Sequence, residues 1–322
     1  MIKFLKDLFK IDKSPRKGLL PLEWVVLAYI AFTVIVLLVT ATKNPDMPML
    51  IIGRTKILII TLALWLVYRM VPCRFMVFVR IVVQMALLGW WYPDTYDINK
   101  VLPNLDHIFA QWEQDVFGFQ PALVFSQNIS NAFFSELMDM GYASYYPMIV
   151  LVTLFYFFRR NKDFERASFV IMASFFIFYV IFVLLPVTGP QFYYKAVGLE
   201  NIANGVFPNV HDYFMTHTEC LVSPGYQDGL FYGLVEDAKN AGERPTAAFP
   251  SSHVGISTIL MLLAYKTKNK RLVLILLPFY VLMFFATFYI QAHYAIDAIA
   301  GIFSGIIIFL ITYGVYPLLS KK

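Results

Sequence analysis

The sequence predicts an all-α integral membrane protein with about eight transmembrane helices, six of which form a catalytic bundle. Three observations support this fold class. The 322 residues are 59% hydrophobic and only 15% charged, whereas soluble domains are about 45–50% apolar and about 25% charged. Eight apolar runs follow one another along the chain. The basic residues gather in the short connections between these runs, as in the cytoplasmic loops of membrane proteins.

The apolar runs lie, in order, at residues 22–40, 57–71, 75–91, 142–158, 167–187, 253–265, 272–290 and 293–316. Several are shorter than the roughly 20 residues that cross a bilayer, so we expect their ends to extend into flanking residues. The first two form an extra N-terminal pair within residues 21–73. The other six, within residues 74–322, form the catalytic membrane domain.

The segments outside the apolar runs have characters of their own. Residues 1–20 mix apolar residues with lysines, which fits either an amphipathic helix at the membrane interface or a frayed basic tail. The long connection at 92–141 has apolar residues at helical spacing, which predicts short helices on the membrane surface. The second long connection, at 188–252, is rich in Gly, Pro, Tyr and Asn, and loops of this length usually carry function.

The distribution of Lys and Arg predicts the orientation. With the N-terminus in the cytoplasm, most of the 26 basic residues fall inside, so the positive-inside rule places both termini there. Lys43, Arg54 and Lys56, in the first outer loop, are a mild exception. The same clustering argues against nucleic acid as a partner despite the net charge of +5. Cys73 and Cys220 then lie on opposite sides of the membrane, which argues against a disulfide between them and against a cysteine metal site.

The candidate chemistry lies with the histidines, all five of which fall at the outer side in this topology. The stretch "HYAID" places His293 four residues before Asp297, so both side chains share one helix face. A carboxylate there can orient one imidazole nitrogen and leave the other nucleophilic. An Asp near the start of a membrane helix also suggests function. The alternative is a polar pair that fastens two helices together.

His253 lies forty residues before His293, at the start of the sixth apolar run in "FPSSH". The chain between them forms a helical hairpin that returns to the same side of the membrane, so we expect the two imidazoles to meet. The alternative for His253 alone is a polar residue at a helix end. Ser251 and Ser252 precede it, and a helix N-terminus with free N–H groups favours an anion.

Two imidazoles and a carboxylate suit phosphoryl transfer without a metal or another cofactor. One histidine attacks phosphorus, and the other protonates the leaving oxygen. The competing interpretation is a zinc site made by His253, His293 and Asp297. The flanking serines and basic residues favour an anion over a cation.

At these residues the chain resembles the type-2 phosphatidic acid phosphatase superfamily. Pro250, Ser251 and His253 match its second motif, P-S-G-H, with Ser252 in place of the glycine. His293 and Asp297 match the third motif, S-R-x5-H-x3-D. Ala286 and Thr287 stand where its Ser and Arg would be, and "VTGPQFYYK" replaces the first motif, K-x6-R-P.

With these departures the chain is similar to the sphingolipid synthase branch, which comprises the inositol phosphorylceramide and sphingomyelin synthases. The third motif of this branch is a bare H-Y-x-x-D. The close match covers about fifty residues, and a weaker one, including "LDHIFAQWEQDVFGFQP", covers most of the chain beyond the first two helices. The resemblance implies that His293 is the nucleophile, that Asp297 orients it, and that His253 is first a general acid and then a base.

Since the family arginine is missing, other groups must bind the phosphate. Ser251, Ser252, Arg244 and Lys195 are the candidates, with Lys239 behind them. A guanidinium can hold two phosphate oxygens at once. The alternative for Arg244 and the lysines is contact with lipid headgroups.

Four other polar residues allow two interpretations. Arg80, four residues before Gln84 in the third apolar run, either lines a buried contact or extends to the cytoplasmic surface, and the second is favoured. Asp106, Glu113 and Asp115 either bind a polyol headgroup or form the polar face of a surface helix, and the second is again favoured.

The sequence therefore predicts an enzyme with its active site at the extracytoplasmic face, periplasmic or luminal. The favoured reaction moves a phosphoryl-containing headgroup, inositol phosphate or similar, from a phospholipid donor to a lipid hydroxyl acceptor such as that of ceramide. The alternatives are hydrolysis of a lipid phosphomonoester through the same histidines and a non-catalytic transporter or scaffold.

Overall fold

The computed structural model describes residues 2–320, with side chains from Lys6 onward, and this part of the chain is helical without a β-strand. The all-α prediction is confirmed. The first helices are α1 (Ile2–Phe9), α2 (Pro21–Val39), α3 (Met47–Met70), α4 (Arg74–Ala86) and α5 (Leu88–Asn99). They are followed by α6 (Asp106–Phe117), α7 (Pro121–Asn128), α8 (Ala132–Ala143), α9 (Tyr145–Arg159) and α10 (Phe164–Leu184). The last are α11 (Pro190–Val197), α12 (Leu199–Ala203), α13 (Leu230–Gly242), α14 (Ser252–Lys266), α15 (Lys270–Tyr289) and α16 (Ala295–Leu319).

Six stretches of the described chain are long and apolar enough to cross a membrane. They are α2, α3, α4 with α5, α10 with the 3-10 turn before it, α15 and α16. A seventh is present if α8 and α9, which meet at a bend of 44°, count as one span. The prediction of an integral membrane protein is confirmed, but a count of eight is not reached because α14 has only 15 residues. That helix begins at Ser252, after Pro250, and ends at a turn rich in lysine.

Two predicted segments have different bounds in the structure. α3 begins at Met47, ten residues before the predicted start, because the apolar character continues upstream of Lys56 with Pro48 in the first turn. The third span continues past residue 91 to Asn99 despite Pro93. The first long connection therefore begins near residue 100, and α6 and α7 are the short helices expected there.

The close approach of α14 and α16 fixes the part of the fold that carries the histidines. A Cβ atom at Gly301 would lie 2.7 Å from the carbonyl oxygen of Ser251, and one at Gly305 would lie 2.6 Å from that of Gly255. Such backbone contact is available only to glycine, and small residues mediate close helix packing in membranes. The start of α14 is thereby held against the first turns of α16.

The structure corrects the interpretation of Arg80, which does not extend to the cytoplasmic surface. Its side chain is fully buried, and its Nε donates to Glu23 Oε1 at 2.8 Å. Gln84, on the same face, donates to Thr61 Oγ1 at 2.8 Å. The prediction failed because the partner, Glu23, lies 57 residues away in sequence. A buried charge requires such a partner.

Arg54 forms a second buried ion pair and does not lie in the predicted outer loop. It lies within α3, and its guanidinium donates to both carboxylate oxygens of Asp94, at 3.1 and 2.8 Å. Its Nε also donates to Thr33 Oγ1 at 2.9 Å, so one side chain joins α2, α3 and α5. The two ion pairs attach the N-terminal helices to the rest of the bundle.

Replacing Arg54 with alanine is expected to lower the free energy of unfolding by about 3–5 kcal/mol, because Asp94 is left as an unpaired buried charge. Lys56→Ala, on the same helix but exposed, is the matched control and should change stability by less than about 0.5 kcal/mol. Thermal unfolding in detergent measures both. Equal melting temperatures for the two variants would contradict a structural role for the ion pair.

Candidate active site

His293 lies in the short turn between α15 and α16. Its backbone N–H donates to the carbonyl of Thr287 at 3.0 Å, and its ring Nδ1 lies 2.8 Å from the carbonyl oxygen of Ala248. Because a carbonyl can only accept, Nδ1 carries the proton. The other ring nitrogen, Nε2, therefore has a free lone pair, which is the form that attacks an electrophile.

His253, in the first turn of α14, faces that lone pair. Its Nδ1 lies 3.3 Å from Nε2 of His293, so the two imidazoles are in contact, as the hairpin between them predicts. The ring of His253 packs on Tyr142 and Tyr145, with ring centroids 4.6 and 4.4 Å away. The two tyrosines fix the plane of the imidazole beside His293.

Asp297 lies behind His293, as its spacing predicts, but at a longer distance than a hydrogen bond. Its Oδ2 is 3.7 Å from Nδ1 of His293 and accepts the backbone N–H of Tyr294 at 2.8 Å. The direct bond to Nδ1 comes from Ala248, a partner that the sequence did not predict. The backbone carbonyl of Asp297 accepts from Ser251 N–H at 3.0 Å, which ties α16 to the start of α14.

The two serines before His253 have different positions. Ser251 is the N-cap of α14, and its Oγ accepts the N–H of Val254 at 3.4 Å. Ser252 follows it, mostly buried, and lines a cavity together with His253. Ser251 is therefore the residue that caps the helix, and a phosphate-binding role for either serine stays a prediction.

The predicted basic residues lie in different settings. Arg244 and Lys195 are exposed, and the guanidinium of Arg244 donates to the carbonyl of Glu243 at 2.9 Å. Lys239 is buried. Its Nζ donates to Ser223 Oγ at 2.7 Å and forms an ion pair with Glu236 Oε1 at 3.2 Å. No contact between these cations and either histidine occurs within residues 2–320 as described. Their role in phosphate binding stays a prediction.

A cavity of about 530 Å³ opens beside His253. Apolar and aromatic side chains of α4, α5, α9 and α10 form most of its wall, among them Phe78, Met85, Ile149 and Phe175. Pockets of this size and character bury an apolar ligand and leave a few polar groups to orient it. The histidine pair therefore adjoins a site suited to a hydrocarbon chain.

Two acidic residues of α6, Asp106 and Glu113, accept hydrogen bonds from the backbone segments around the site. Asp106 accepts from the backbone N–H groups of Thr188 and Gly189 at 2.7 and 2.8 Å and from the hydroxyl of Tyr294 at 3.1 Å. Glu113 accepts from the first N–H groups of α16, and burial raises its pKa to about 8.

Both carboxyl groups are buried, unlike the exposed polar face that was favoured for them. Asp115, by contrast, is exposed and accepts from Gln111 at 2.8 Å. The seven-residue spacing of Asp106 and Glu113, two turns on one helix face, is a sequence signal that could have indicated a shared environment.

Burial lowers the pKa of His293 to about 4, while the Ala248 carbonyl and the charge of Glu243 oppose this shift. The ordinary value is about 6.5. The folded state disfavours the protonated His293 ring. The stability that the protein gains from the neutral ring is therefore at its full value above about pH 6.5. It is lost as the pH falls from there towards 4. The His293 ring is thus neutral throughout the physiological range.

The pH dependence of kcat/KM reports the free enzyme, so its acid limb is expected near pH 4 rather than near 6.5. The measurement requires a phosphodiester donor, whose charge is constant over this range. The thermal unfolding midpoint, followed in parallel, should decline as the pH falls below about 6.5. An acid limb centred near 6.5 with an unchanged unfolding midpoint would contradict a buried neutral nucleophile.

Comparison with known proteins agrees with this geometry. A family model described as the PAP2 superfamily matches residues 107–311, well over half of the chain. The matched region runs from α6 into α16 and contains His253, His293 and Asp297. No curated protein and no solved structure gives a significant match.

Proposed function

The chain belongs to the PAP2 superfamily of metal-independent phosphatases and phosphotransferases, and on that premise we propose that it is a lipid headgroup transferase. The family and the six apolar helices make it a membrane lipid enzyme of phosphatase or phosphotransferase type. The proposed donor is a phospholipid that gives up a phosphoryl-containing headgroup, inositol phosphate or similar. The proposed acceptor is a lipid hydroxyl such as that of ceramide or diacylglycerol.

The cavity beside His253 is the observation that carries this proposal. A transferase must hold a lipid acceptor at the phosphorylated histidine and keep water away from it. An apolar wall next to His253 and Ser252 meets both needs, because a hydrocarbon chain fills the space that water would otherwise occupy. Hydrolysis needs only a water molecule as the second substrate.

In the first step, Nε2 of His293 attacks the phosphorus of the donor in line with the bond to its diacylglycerol oxygen. The N–P bond forms as the P–O bond breaks, and the departing oxygen takes a proton from His253. The entering phosphoryl group replaces the direct contact between the two rings. Diacylglycerol leaves, and the headgroup stays on His293 as a phosphohistidine diester.

In the second step, His253 removes the proton from the acceptor hydroxyl, whose oxygen attacks phosphorus. The P–O bond to the acceptor forms as the P–N bond breaks. His293 returns to its starting state, and His253 regains the proton that it gave up. The Nδ1–H···O bond to Ala248 holds the ring of the nucleophile through both steps.

We place the reaction at the extracytoplasmic face with both termini in the cytoplasm. The support is that His253 lies in the first turn of α14, whereas Lys266 ends this helix, Lys268 lies in the turn after it and Lys270 begins α15. Cys220 in the second long connection is partly exposed and Cys73 is buried. A membrane-impermeant maleimide should therefore label Cys220 in intact cells, and labelling only after permeabilisation would contradict this orientation.

The decisive experiment supplies purified protein with a phospholipid labelled in its phosphate, with and without ceramide, or a diacylglycerol whose chain length differs from that of the donor, in mixed micelles. We expect label in a new acceptor lipid only when acceptor is present. Release of label as free phosphate or as headgroup phosphate, irrespective of acceptor, would establish hydrolysis instead.

A cavity-filling variant tests the observation behind the proposal. Gly89 lines the cavity and has no atom near its missing Cβ, so Gly89→Leu should raise the KM for the acceptor with a smaller effect on the donor. Gly233→Leu, in α13 and outside the cavity lining, is the matched control with equally open space. Equal acceptor KM values in both variants would remove the cavity from the argument.

A further inference from the structure

A single carboxylate, that of Glu243, lines the cavity beside the histidine pair. It follows directly after α13, and its Oε1 accepts from the hydroxyl of Tyr92 at 3.0 Å and from Nε2 of Gln191 at 3.3 Å. Its charge is close enough to raise the pKa of His293. The mechanism above gives this acid no role, and a phosphate site is an unusual place for it.

No ion pair joins Glu243 to a cation within the described residues. Burial raises the pKa of its carboxyl, and the hydrogen bond from Tyr92 and the charge of Lys239 oppose this shift. Its two partners, Tyr92 and Gln191, are neutral, so they fix the position of the carboxylate and leave its charge in place. The guanidinium of Arg244 is exposed and bonds the backbone carbonyl of Glu243 instead of its side chain. Lys239 is engaged by Glu236 and Ser223.

Among the described residues, no Lys or Arg lines the cavity. A negative group that enters next to His293 therefore meets one fixed negative charge in surroundings of low dielectric constant. The cost grows with each unit of charge that the substrate brings. A phosphodiester carries one negative charge, whereas a phosphomonoester carries between about 1.5 and 2 at pH 7.

We propose that Glu243 determines substrate class by charge, admitting monoanionic phosphodiester lipids and neutral hydroxyl acceptors and repelling phosphomonoester lipids. This deepens the proposed function and rests on it. Specificity here comes from a repulsive element directed against the wrong substrate. Once the headgroup is transferred, the carboxylate can also accept a hydrogen bond from the neutral acceptor.

The test compares Glu243→Gln with the wild-type protein on two labelled lipids of equal chain length, a phosphodiester donor with acceptor and phosphatidic acid. The assay runs at pH 7.5, where the monoester is mostly dianionic. Glutamine keeps the size and the hydrogen-bonding capacity of the side chain but removes its charge. We expect the ratio of kcat/KM for monoester over diester to rise about tenfold, from one unit charge acting over roughly 10 Å at an effective dielectric constant of about 20.

Two controls separate charge from structure. Asp237→Asn removes one negative charge from an exposed position on α13 and should leave the ratio unchanged. Tyr92→Phe removes the hydrogen bond and keeps the charge, so it should lower both rates in similar proportion. An unchanged ratio in Glu243→Gln, or an equal change in Tyr92→Phe, would overturn the proposal.

The proposal for Glu243 can be tested even if the protein proves not to be a transferase. Wild-type protein that hydrolyses phosphatidic acid and transfers nothing from the diester would sink the transferase proposal. In that case the rate of Glu243→Gln on phosphatidic acid alone decides. A rise of about a hundredfold, about tenfold for each of the two charges of phosphatidic acid, supports charge repulsion, and an equal or lower rate overturns it.

Discussion

Replacing His293 with alanine is expected to abolish turnover, lowering kcat by about a thousandfold or more. The reason is that Nε2 of His293 is the only nitrogen of the pair held with a free lone pair by a fixed acceptor, the Ala248 carbonyl at 2.8 Å on Nδ1. The measurement is transfer of label from phospholipid to acceptor, together with capture of the labelled protein after a short reaction.

The role of His293 is distinguished from that of His253 by the leaving group. His253→Ala removes the proton donor and should cost about 10²- to 10⁴-fold with a natural phospholipid. A donor with a nitrophenol leaving group needs no proton, so it should restore protein labelling in His253→Ala and not in His293→Ala. His211→Ala, at an exposed position of the second long connection, serves as the control histidine.

The opposite pattern would reassign the roles. If His293→Ala still acquired label from the nitrophenyl donor and His253→Ala did not, His253 would be the nucleophile. Retention of activity in both variants would exclude histidine chemistry and leave the rings as a helix fastening. The 3.3 Å contact between the rings does not by itself separate these outcomes, whereas the proton on Nδ1 of His293 favours the first.

The parts of the fold that the sequence could predict are those set by local patterns. Hydropathy locates the membrane helices because a span of about 20 residues averages over local detail. The contact of His253 and His293 follows from one helical hairpin, and the shared face of His293 and Asp297 follows from a spacing of four. Each of these features depends on residues that lie close together in the sequence, within one helix or one helical hairpin.

What the sequence could not predict depends on partners far apart in the chain. Arg80 reads as a surface residue until Glu23, on another helix, is seen to meet it. The hydrogen-bond acceptor that orients the His293 ring is the backbone carbonyl of Ala248. Every residue has such a carbonyl, so the residue types in the sequence cannot identify this partner. Glu243 was overlooked because a lone acid in a long polar connection has no pattern around it.

Replacing Asp106 with asparagine is expected to destabilise the protein by about 2–4 kcal/mol, the second large effect. Its carboxylate accepts from the side chain of Asn104 at 2.6 Å as well as from the N–H groups of Thr188 and Gly189 and the hydroxyls of Thr188 and Tyr294. Every one of these groups is a donor. An amide offers one oxygen, and its NH₂ would face buried donors that then lose their acceptor.

Asp106 is also expected to connect stability to catalysis, because Tyr294 is adjacent to His293 and Thr188 adjoins the segment that meets Ala248. Val187 accepts the N–H of Ala248 at 3.0 Å, so a shift of residues 187–189 moves the carbonyl that orients His293. A displacement of about 1 Å can cost about a hundredfold in rate. Asp106→Asn should therefore lower kcat by a similar factor for donors with different headgroups.

This expectation separates two roles for Asp106 that predict different data. A residue that binds a polyol headgroup would change KM for inositol-containing donors alone and leave the melting temperature unaltered. A residue that organises the frame lowers the melting temperature and reduces kcat for every donor alike. Asp115→Asn, exposed on the same helix, supplies the control for charge and should change neither quantity. Thermal unfolding in detergent and kinetics with two donors distinguish the roles, and the buried donors around Asp106 favour the second.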